Sequence, residues 1–352
     1  MKIKSRNNTL YLHFSHDGKM IRKSMKMEDT TKNRTILRKQ IIPEIQKQLV
    51  MGEFFKKQAK VTLDDFAEIS FKMNEGTRRP LTSKWYRDNY RLHIQATFGR
   101  WEIDKIKRSD FVKWQNTLLK KLSGKTVQGI RAIFMTILQD ALKDEVIEKN
   151  YLSLVKSPKI IDVIIKKPFT VDEIYKILDN TPEKIKAYFA IGFFTGMRTG
   201  EIIALKWENI DFKNRIIKVR HSIRAGQYTR PKTESSIRDV DILDALMPYL
   251  VEHRKIVKDS SIFLFETYED KPFYTSDKIS SHYWKKVLIA QDVEYRNLYQ
   301  MRHTFASQML MNNESILWVS KMLGHKDSSM TLQKYARYIP TRDIKRACFL
   351  ER

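Results

Sequence analysis

Three short runs near the end of the sequence gather side chains suited to phosphate chemistry: Leu298-Tyr-Gln-Met-Arg-His-Thr-Phe-Ala-Ser307, Met322-Leu-Gly-His325 and Thr331-Leu-Gln-Lys-Tyr335. Arg302 brings a planar, permanently charged fork of N–H donors that matches phosphate oxygens. His303 and His325 can donate, accept or move protons near neutral pH. Tyr299 and Tyr335 each add a phenol, a neutral hydrogen-bond donor with a pKa of about 10.

Local elements must bring these groups together. Met301, Phe305 and Met309 recur at i, i+4 and i+8, which predicts a helix whose apolar stripe leaves Tyr299 and Arg302 on another face, pointing the same way. Gly324 follows Ile316, Val319 and Leu323 and is placed to end their helix in a left-handed conformation, so His325 projects from a turn. Asp327, Ser328 and Ser329 are N-cap types, and Met330, Leu332 and Tyr335 are expected on one face of a last short helix. Further upstream, Thr195-Gly-Met-Arg-Thr-Gly-Glu201 places Arg198 and Glu201 at i and i+3, one helical turn apart. By itself that pair is more readily a surface ion pair. Arg215 to Arg220 and Ile237 to Ile242 look like strands around a loop that carries Lys232.

Taken together, these runs resemble the tyrosine recombinase (phage integrase) family, whose C-terminal signature is H-x-x-R-H, then L-G-H, then a nucleophilic tyrosine. By this resemblance Arg198 is the first catalytic arginine with Glu201 as its acidic support, and Arg302 is the second. His303 is the residue beside it, His325 the late histidine, and Tyr335 the nucleophile, with Tyr338 its near rival one turn on. The run Lys232-Thr-Glu-Ser-Ser-Ile-Arg238 is similar to the family's K-T-x-x-S-x-R, which makes Lys232 the hairpin lysine and general acid. One position departs: Tyr299 stands where the family has its first histidine. A phenol there can keep a donor role without charge or proton transfer, or it can merely pack against the domain.

The resemblance implies DNA cleavage through a 3′-phosphotyrosyl link that stores the bond energy, so rejoining needs no ATP. Gly124-Lys-Thr126 accordingly need not be a nucleotide loop, and it is not one, because position 119 is Leu where a P-loop requires Gly. No His-Glu-x-x-His, cysteine cluster or carboxylate constellation suggests a metal. Neither metal nor cofactor is expected.

Composition agrees with a nucleic-acid partner. The 352 residues carry 66 Lys and Arg against 41 Asp and Glu, a net charge of +25, and basic surfaces of this size favour phosphate polymers through counterion release. A single cysteine, Cys348, excludes an intrachain disulfide and suits a reducing compartment. With no apolar leader and no long apolar run, a cytoplasmic protein without membrane association is expected.

The fold class expected is multidomain and mainly α. Residues 1–55, with twelve Lys and Arg against four acids in the first fifty, read as a small β-sheet plus helix. Leu10 to Phe14 and Met20 to Ser24 pair across an Asp17-Gly18 turn, and a helix from Thr31 to Met51 is broken or kinked at Pro43. This piece resembles the family's arm-type DNA-binding domain, with Lys4, Arg6, Arg22 and Lys23 as contacts, although a basic structural cap is the alternative. Residues 60–158 read as four helices (Val61 to Met73, Lys84 to Phe98, Ser109 to Leu122, and one begun near Ser123), similar to the family's SAM-like core-binding domain. There Lys120, Lys121, Lys125 and Arg131 are candidate phosphate contacts. A linker with an apolar patch, Ile160 to Ile165, precedes an α+β, mostly helical catalytic domain over 168–352, opened by the capping box Thr170-Val-Asp-Glu173.

The implied partners are double-stranded DNA at core and arm sites, a homotetramer on DNA docked through the tail Thr341 to Arg352, and accessory DNA-bending or directionality proteins. An integrase of a phage or integrative element is the reading favoured. A resolvase or invertase of the same family, a DNA-binding regulator without catalysis, and a strand-passing topoisomerase are the alternatives.

Overall fold

A computed structural model describes residues 1–16, 18–51, 54, 61–160, 167–231, 234–267, 269 and 271–340. Asp17, Lys232, most of the linker patch, Cys348 and the tail from 341 lie outside the described residues. The chain forms two compact units, Met1–Val163 and Ile164–Arg352.

The first unit opens with a three-stranded antiparallel sheet of Lys2–Arg6, Thr9–His16 and Lys19–Glu28. The first strand was not expected, because a Lys- and Arg-rich edge strand shows little apolar alternation. In the middle strand Leu10, Leu12 and Phe14 are buried against Leu37 and Ile45. Since side chains alternate across a strand, the other face carries Tyr11 and His13. Register places Lys4 opposite Tyr11, and Lys2 and Arg22 opposite His13, and Arg22 lies over the Tyr11 ring at 4.4 Å. Lys4, Arg6 and Arg22 therefore share an open, basic face. Lys23 is opposite Leu12 on the core side, its ammonium over Phe54.

The following helix runs Thr31–Ile36, widens to a π-helical turn over Leu37–Ile41 and resumes as Ile42–Val50. Pro43 sits at the first turn of the resumed piece, where its missing N–H is tolerated. The wider turn absorbs the break.

A separate core holds the helical module. Leu63–Met73 is capped by a Thr62–Asp65 box. Pro80–Asn89 continues through Tyr90–Gln95 to Phe98, Arg108–Leu119 follows, and Gly124–Lys143 is capped by Ser123. Pro80 begins its helix rather than ending a loop, so that element starts earlier than its apolar spacing suggested. Phe98, Phe111, Trp114 and Phe134 pack edge to face or tilted at the centre.

Arg131 is not available to phosphate. It is 8 % exposed, donates to Gln115 Oε1 at 3.0 Å and to the Leu152 carbonyl at 2.8 Å, and also donates to the Val155 carbonyl. The 3-10 segment Tyr151–Leu154 and the residue after it supply those carbonyls, so the guanidinium ties the module's end to its longest helix. Lys120, Lys121 and Lys125 remain exposed.

In the second unit, Thr170 caps Val171–Asp179 through the expected box with Glu173. Glu173 also holds Arg296 at 2.8 and 3.1 Å. A small sheet of Ile210–Asp211, Ile216–Val219 and Arg238–Asp241 pairs Val219 with Arg238. Between its last two strands, a hairpin of Ser222–Arg224 and Gln227–Thr229 turns at Ala225-Gly226, where a loop was expected. Helices Glu183–Thr195 and Gln300–Met311 form the centre, and Met301, Phe305 and Leu310 are buried. Thr304 Oγ1 accepts from the Phe169 N–H at 3.1 Å and Gln308 donates to the Phe169 carbonyl at 2.6 Å. The helix bearing Arg302 is thereby fixed to the start of its unit. Among the described residues no helix is long and apolar enough to cross a membrane.

Candidate active site

Arg198 is the N-cap of the short helix Thr199–Ile202. Its guanidinium donates to Glu201 Oε1 at 2.6 Å and to Ser236 Oγ at 3.3 Å, and its backbone N–H donates to Glu201 Oε2 at 3.0 Å. The arginine side chain is 36 % exposed while Glu201 is 2 % exposed, so the carboxylate holds the arginine from below and leaves part of it open. This is no surface ion pair.

Glu201 has a second partner that the sequence alone did not indicate. Arg238, buried at 8 %, donates to Glu201 Oε2 at 2.9 Å, to the Met322 carbonyl at 2.7 Å and to the Ser236 carbonyl at 3.1 Å. It joins the first arginine turn to the loop that ends in His325. Burial alone would push the Glu201 carboxyl up, but Arg238 and Arg198 hold it below its ordinary value. Both Ser236 and Arg238 belong to the run that begins at Lys232, and its terminal arginine was the signal that could have revealed them.

Gly196 ends the helix Glu183–Thr195 at φ 64°, a left-handed conformation that glycine adopts without penalty. A Cβ there would stand 2.6 Å from Phe305 and 2.8 Å from Leu323. The freed carbonyl accepts from Arg302 Nη1 at 2.8 Å, so one glycine turn serves both arginines. Arg302 is 2 % exposed. Burial, with Arg198 and Arg238 nearby, pushes its pKa down to about 10, which still leaves it charged at neutral pH.

Gly324 ends Ile316–Leu323 at φ 66° as its spacing indicated, lying against the Arg238 side chain, which a Cβ would meet at 3.0 Å. His325 Nδ1 is 2.7 Å from Thr331 Oγ1, which is 2.6 Å from Ser320 Oγ. If Thr331 donates to Nδ1, the imidazole proton sits on Nε2. Burial, then Arg302 and Lys334, push the His325 pKa down to about 4, so the ring is a neutral donor.

Asp327 caps Ser328–Tyr335. Its buried face is Thr331 and Tyr335, while Met330 and Leu332 are 37 % and 38 % exposed. The expected apolar face is corrected: this helix turns its hydroxyls inward, because the groups awaiting them are histidines. Tyr335 is 3 % exposed and its hydroxyl is 2.6 Å from His303 Nδ1. Tyr338 packs at the rim of the core under Arg337.

Tyr299 is the N-cap of Gln300–Met311 and is 40 % exposed, its ring edge-on to His303 at 5.2 Å. It is therefore not a core residue. Tyr299→Phe is expected to slow single-turnover strand cleavage by about 5–30-fold, the equivalent of one lost hydrogen bond of roughly 1–2 kcal/mol. Quench-flow cleavage would check this, and a rate within about twofold of the unmodified chain would remove the hydroxyl from the chemistry.

Among the described residues no group of three or more His, Cys, Asp or Glu is arranged to hold a metal ion. Among the described residues Arg198, Arg238, Arg302 and Lys334 stand against Glu201, so positive charge is in surplus around the Arg198–His325 region. That balance suits a phosphodiester whose charge grows during displacement.

A helical unit with two arginines, a histidine turn and a tyrosine-bearing last helix defines the tyrosine recombinase class. The phage integrase family model matches residues 167–341, and the phage integrase N-terminal SAM-like domain model matches residues 62–119. The chain belongs to this family of tyrosine recombinases. A XerC-like tyrosine recombinase of Caldanaerobacter subterraneus subsp. tengcongensis is 29 % identical over 318 residues, covering 80 % of each chain. The ICEBs1 integrase of Bacillus subtilis is 25 % identical, over 72 % of this chain and 73 % of the other. Among solved structures, the Tn1549 transposon integrase in complex with a circular intermediate DNA superposes with a TM-score of 0.68 at 21 % identity, covering 78 % of this chain and 94 % of the other. A lambda integrase tetramer bound to a Holliday junction gives 0.64 at 16 %, covering 93 % and 96 %.

Proposed function

We propose that this chain is the integrase of a phage or other mobile element, a site-specific recombinase that cuts and rejoins double-stranded DNA from the cytoplasm. The observation that supports it most is the convergence in one unit of Arg198 on its buried carboxylate, buried Arg302, neutral His325 and a tyrosine hydroxyl seated on an imidazole.

In this mechanism Arg198 and Arg302 hold the scissile phosphate from two sides, and His325 donates to a non-bridging oxygen. Tyr335 attacks in line, and the 5′-oxygen leaves as a hydroxyl after taking a proton from Lys232. The resulting 3′-phosphotyrosyl bond is reversed by the 5′-hydroxyl of another strand. Solved relatives include a dimer on a core site and a tetramer on a Holliday junction, which supports a multimer on DNA as the working assembly. The test is a nicked duplex spanning the attachment core found beside the reading frame: a covalent protein–DNA product is expected, and its absence on every junction sequence tried would overturn the proposal.

The proposal includes a division of labour among three domains, 1–55 on arm sites, 60–158 and 168–352 on the core. The open face with Lys4, Arg6 and Arg22 supports the first of these. Removing residues 1–55 is expected to leave adduct formation on a core duplex nearly unchanged and to impair integration. It should also flatten the salt dependence of binding to long DNA by about 3 in log–log slope, close to 0.9 for each phosphate that is no longer neutralised. Normal integration with an unchanged slope would make the segment a structural cap.

A further inference from the structure

A phenol buried as Tyr335 is does not ionise unaided. Burial pushes its pKa up to about 12 despite the nearby Arg302, so attack on phosphorus requires that the proton leave to a defined acceptor as the new bond forms. Three polar groups of the site are candidates. Tyr299 is itself a phenol and offers no basic nitrogen. His325 has its Nδ1 engaged by Thr331. His303 alone among the described residues has a ring nitrogen on the Tyr335 hydroxyl, at 2.6 Å.

We propose that His303 is the general base that takes the proton of Tyr335 during strand cleavage and returns it during rejoining. This deepens the recombinase reading above and rests on it. In the resting state the Tyr335 O–H donates to Nδ1, which fixes the ring as the tautomer with its proton on Nε2. As Oη bonds to phosphorus, the proton moves to Nδ1 and the ring becomes imidazolium. The bond from phosphorus to the 5′-oxygen breaks, and that oxygen takes a separate proton from the acid proposed as Lys232. Rejoining reverses each transfer, so base and acid are both reset.

The surroundings of His303 suit a base that is empty at neutral pH. Tyr335 and Lys334 face it from the last helix, Arg337 from the turn after it, and Arg302 and Tyr299 from its own helix end. Burial first, then Lys334, Arg302 and Arg337, lowers its pKa below the ordinary 6.5. The ring is thus neutral and proton-free at Nδ1 over the physiological range. Cleavage should be constant there and fall as pH drops below 6.5 through the His303 pKa.

The test uses the full chain in single-turnover adduct formation on the nicked core duplex, made with an ordinary 5′-oxygen or with a 5′-bridging sulfur that leaves without protonation. His303→Ala is expected to be slower by at least about 100-fold, equally so on both substrates, without the acid limb, and partly restored by added imidazole. His303→Asn, which offers an acceptor oxygen but no basicity, is expected to be as slow as His303→Ala while keeping normal thermal stability and DNA affinity. Adduct formation by His303→Ala within about threefold of the unmodified chain, or recovery of either variant by the sulfur substrate or by Asn, would overturn the base. Tyr335→Phe run alongside keeps the two questions apart: if it forms no adduct while His303→Ala forms one normally, only the base role fails.

Discussion

Tyr335→Phe is expected to bind DNA with unchanged affinity and to form no covalent adduct on a nicked core duplex, whereas Tyr338→Phe retains it. The change removes one oxygen from a ring that is 3 % exposed, so the apolar packing of the last helix persists. His303 Nδ1 loses its partner, which costs about 1 kcal/mol of stability and leaves the fold intact. On the proposed mechanism the chemistry loses its nucleophile outright, and no residual rate beyond background should remain. Tyr338 lies on the turn after the helix with its ring under Arg337, and it is the Tyr335 hydroxyl that sits on the imidazole. The check is denaturing-gel analysis of the adduct with peptide mapping. An adduct peptide carrying Tyr338 would reverse the assignment.

Glu201→Ala is expected to be the most damaging single change that touches no DNA. It leaves Arg238, 5 % exposed in its side chain, without its only carboxylate partner among the described ion pairs, and frees Arg198 from beneath. Breaking a buried pair by removing one member destabilises by about 3–5 kcal/mol, because the remaining charge is desolvated and unpaired. Denaturant unfolding would measure that loss. Cleavage by the surviving folded fraction should fall by about 100-fold or more, since Arg198 and the Met322–His325 turn both lose their common anchor. Glu201→Gln keeps the shape and one acceptor, and should lose less stability than Glu201→Ala. Because the Glu201 pKa is lowered on folding, its contribution is present above the unfolded value of about 4.3. It is lost as pH falls through the folded value, so acid should weaken unmodified protein more steeply than Glu201→Gln.

Much of the site was legible because its signals are local. Gly324 announces a helix end, Thr170 and Glu173 a helix start, and the spacing of Met301 and Phe305 a buried face. What escaped depends on distant partners. Arg131 lies off the apolar stripe of its helix, so periodicity assigned it to solvent, yet carbonyls some twenty residues later fold over it. Arg238 lies in the expected strand Ile237 to Ile242, but its partners emerge only when that strand is set beside the turns carrying Glu201 and Met322. The inward face of the last helix was misjudged for a related reason: hydrophobicity ranks Met330 and Leu332 above Thr331, but a niche lined by Ser320 and His325 selects a hydroxyl. The hairpin at Ala225-Gly226 is short and polar, and takes its form from packing such as the stacking of Tyr228 on His221 at 4.4 Å.

The seclusion of Tyr335 has a bearing on safety. A basic protein meets long stretches of chromosome that are not its target, and each encounter presents a great many backbone esters to its surface. With the oxygen proposed to attack turned inward onto an imidazole and the tyrosine 3 % exposed, a chance contact at the surface does not meet it. On the proposed mechanism a phosphate must reach that hydroxyl while His303 is still beside it, and whatever opens that access, from a correct sequence to a neighbouring copy of the chain, acts as a licence to cut.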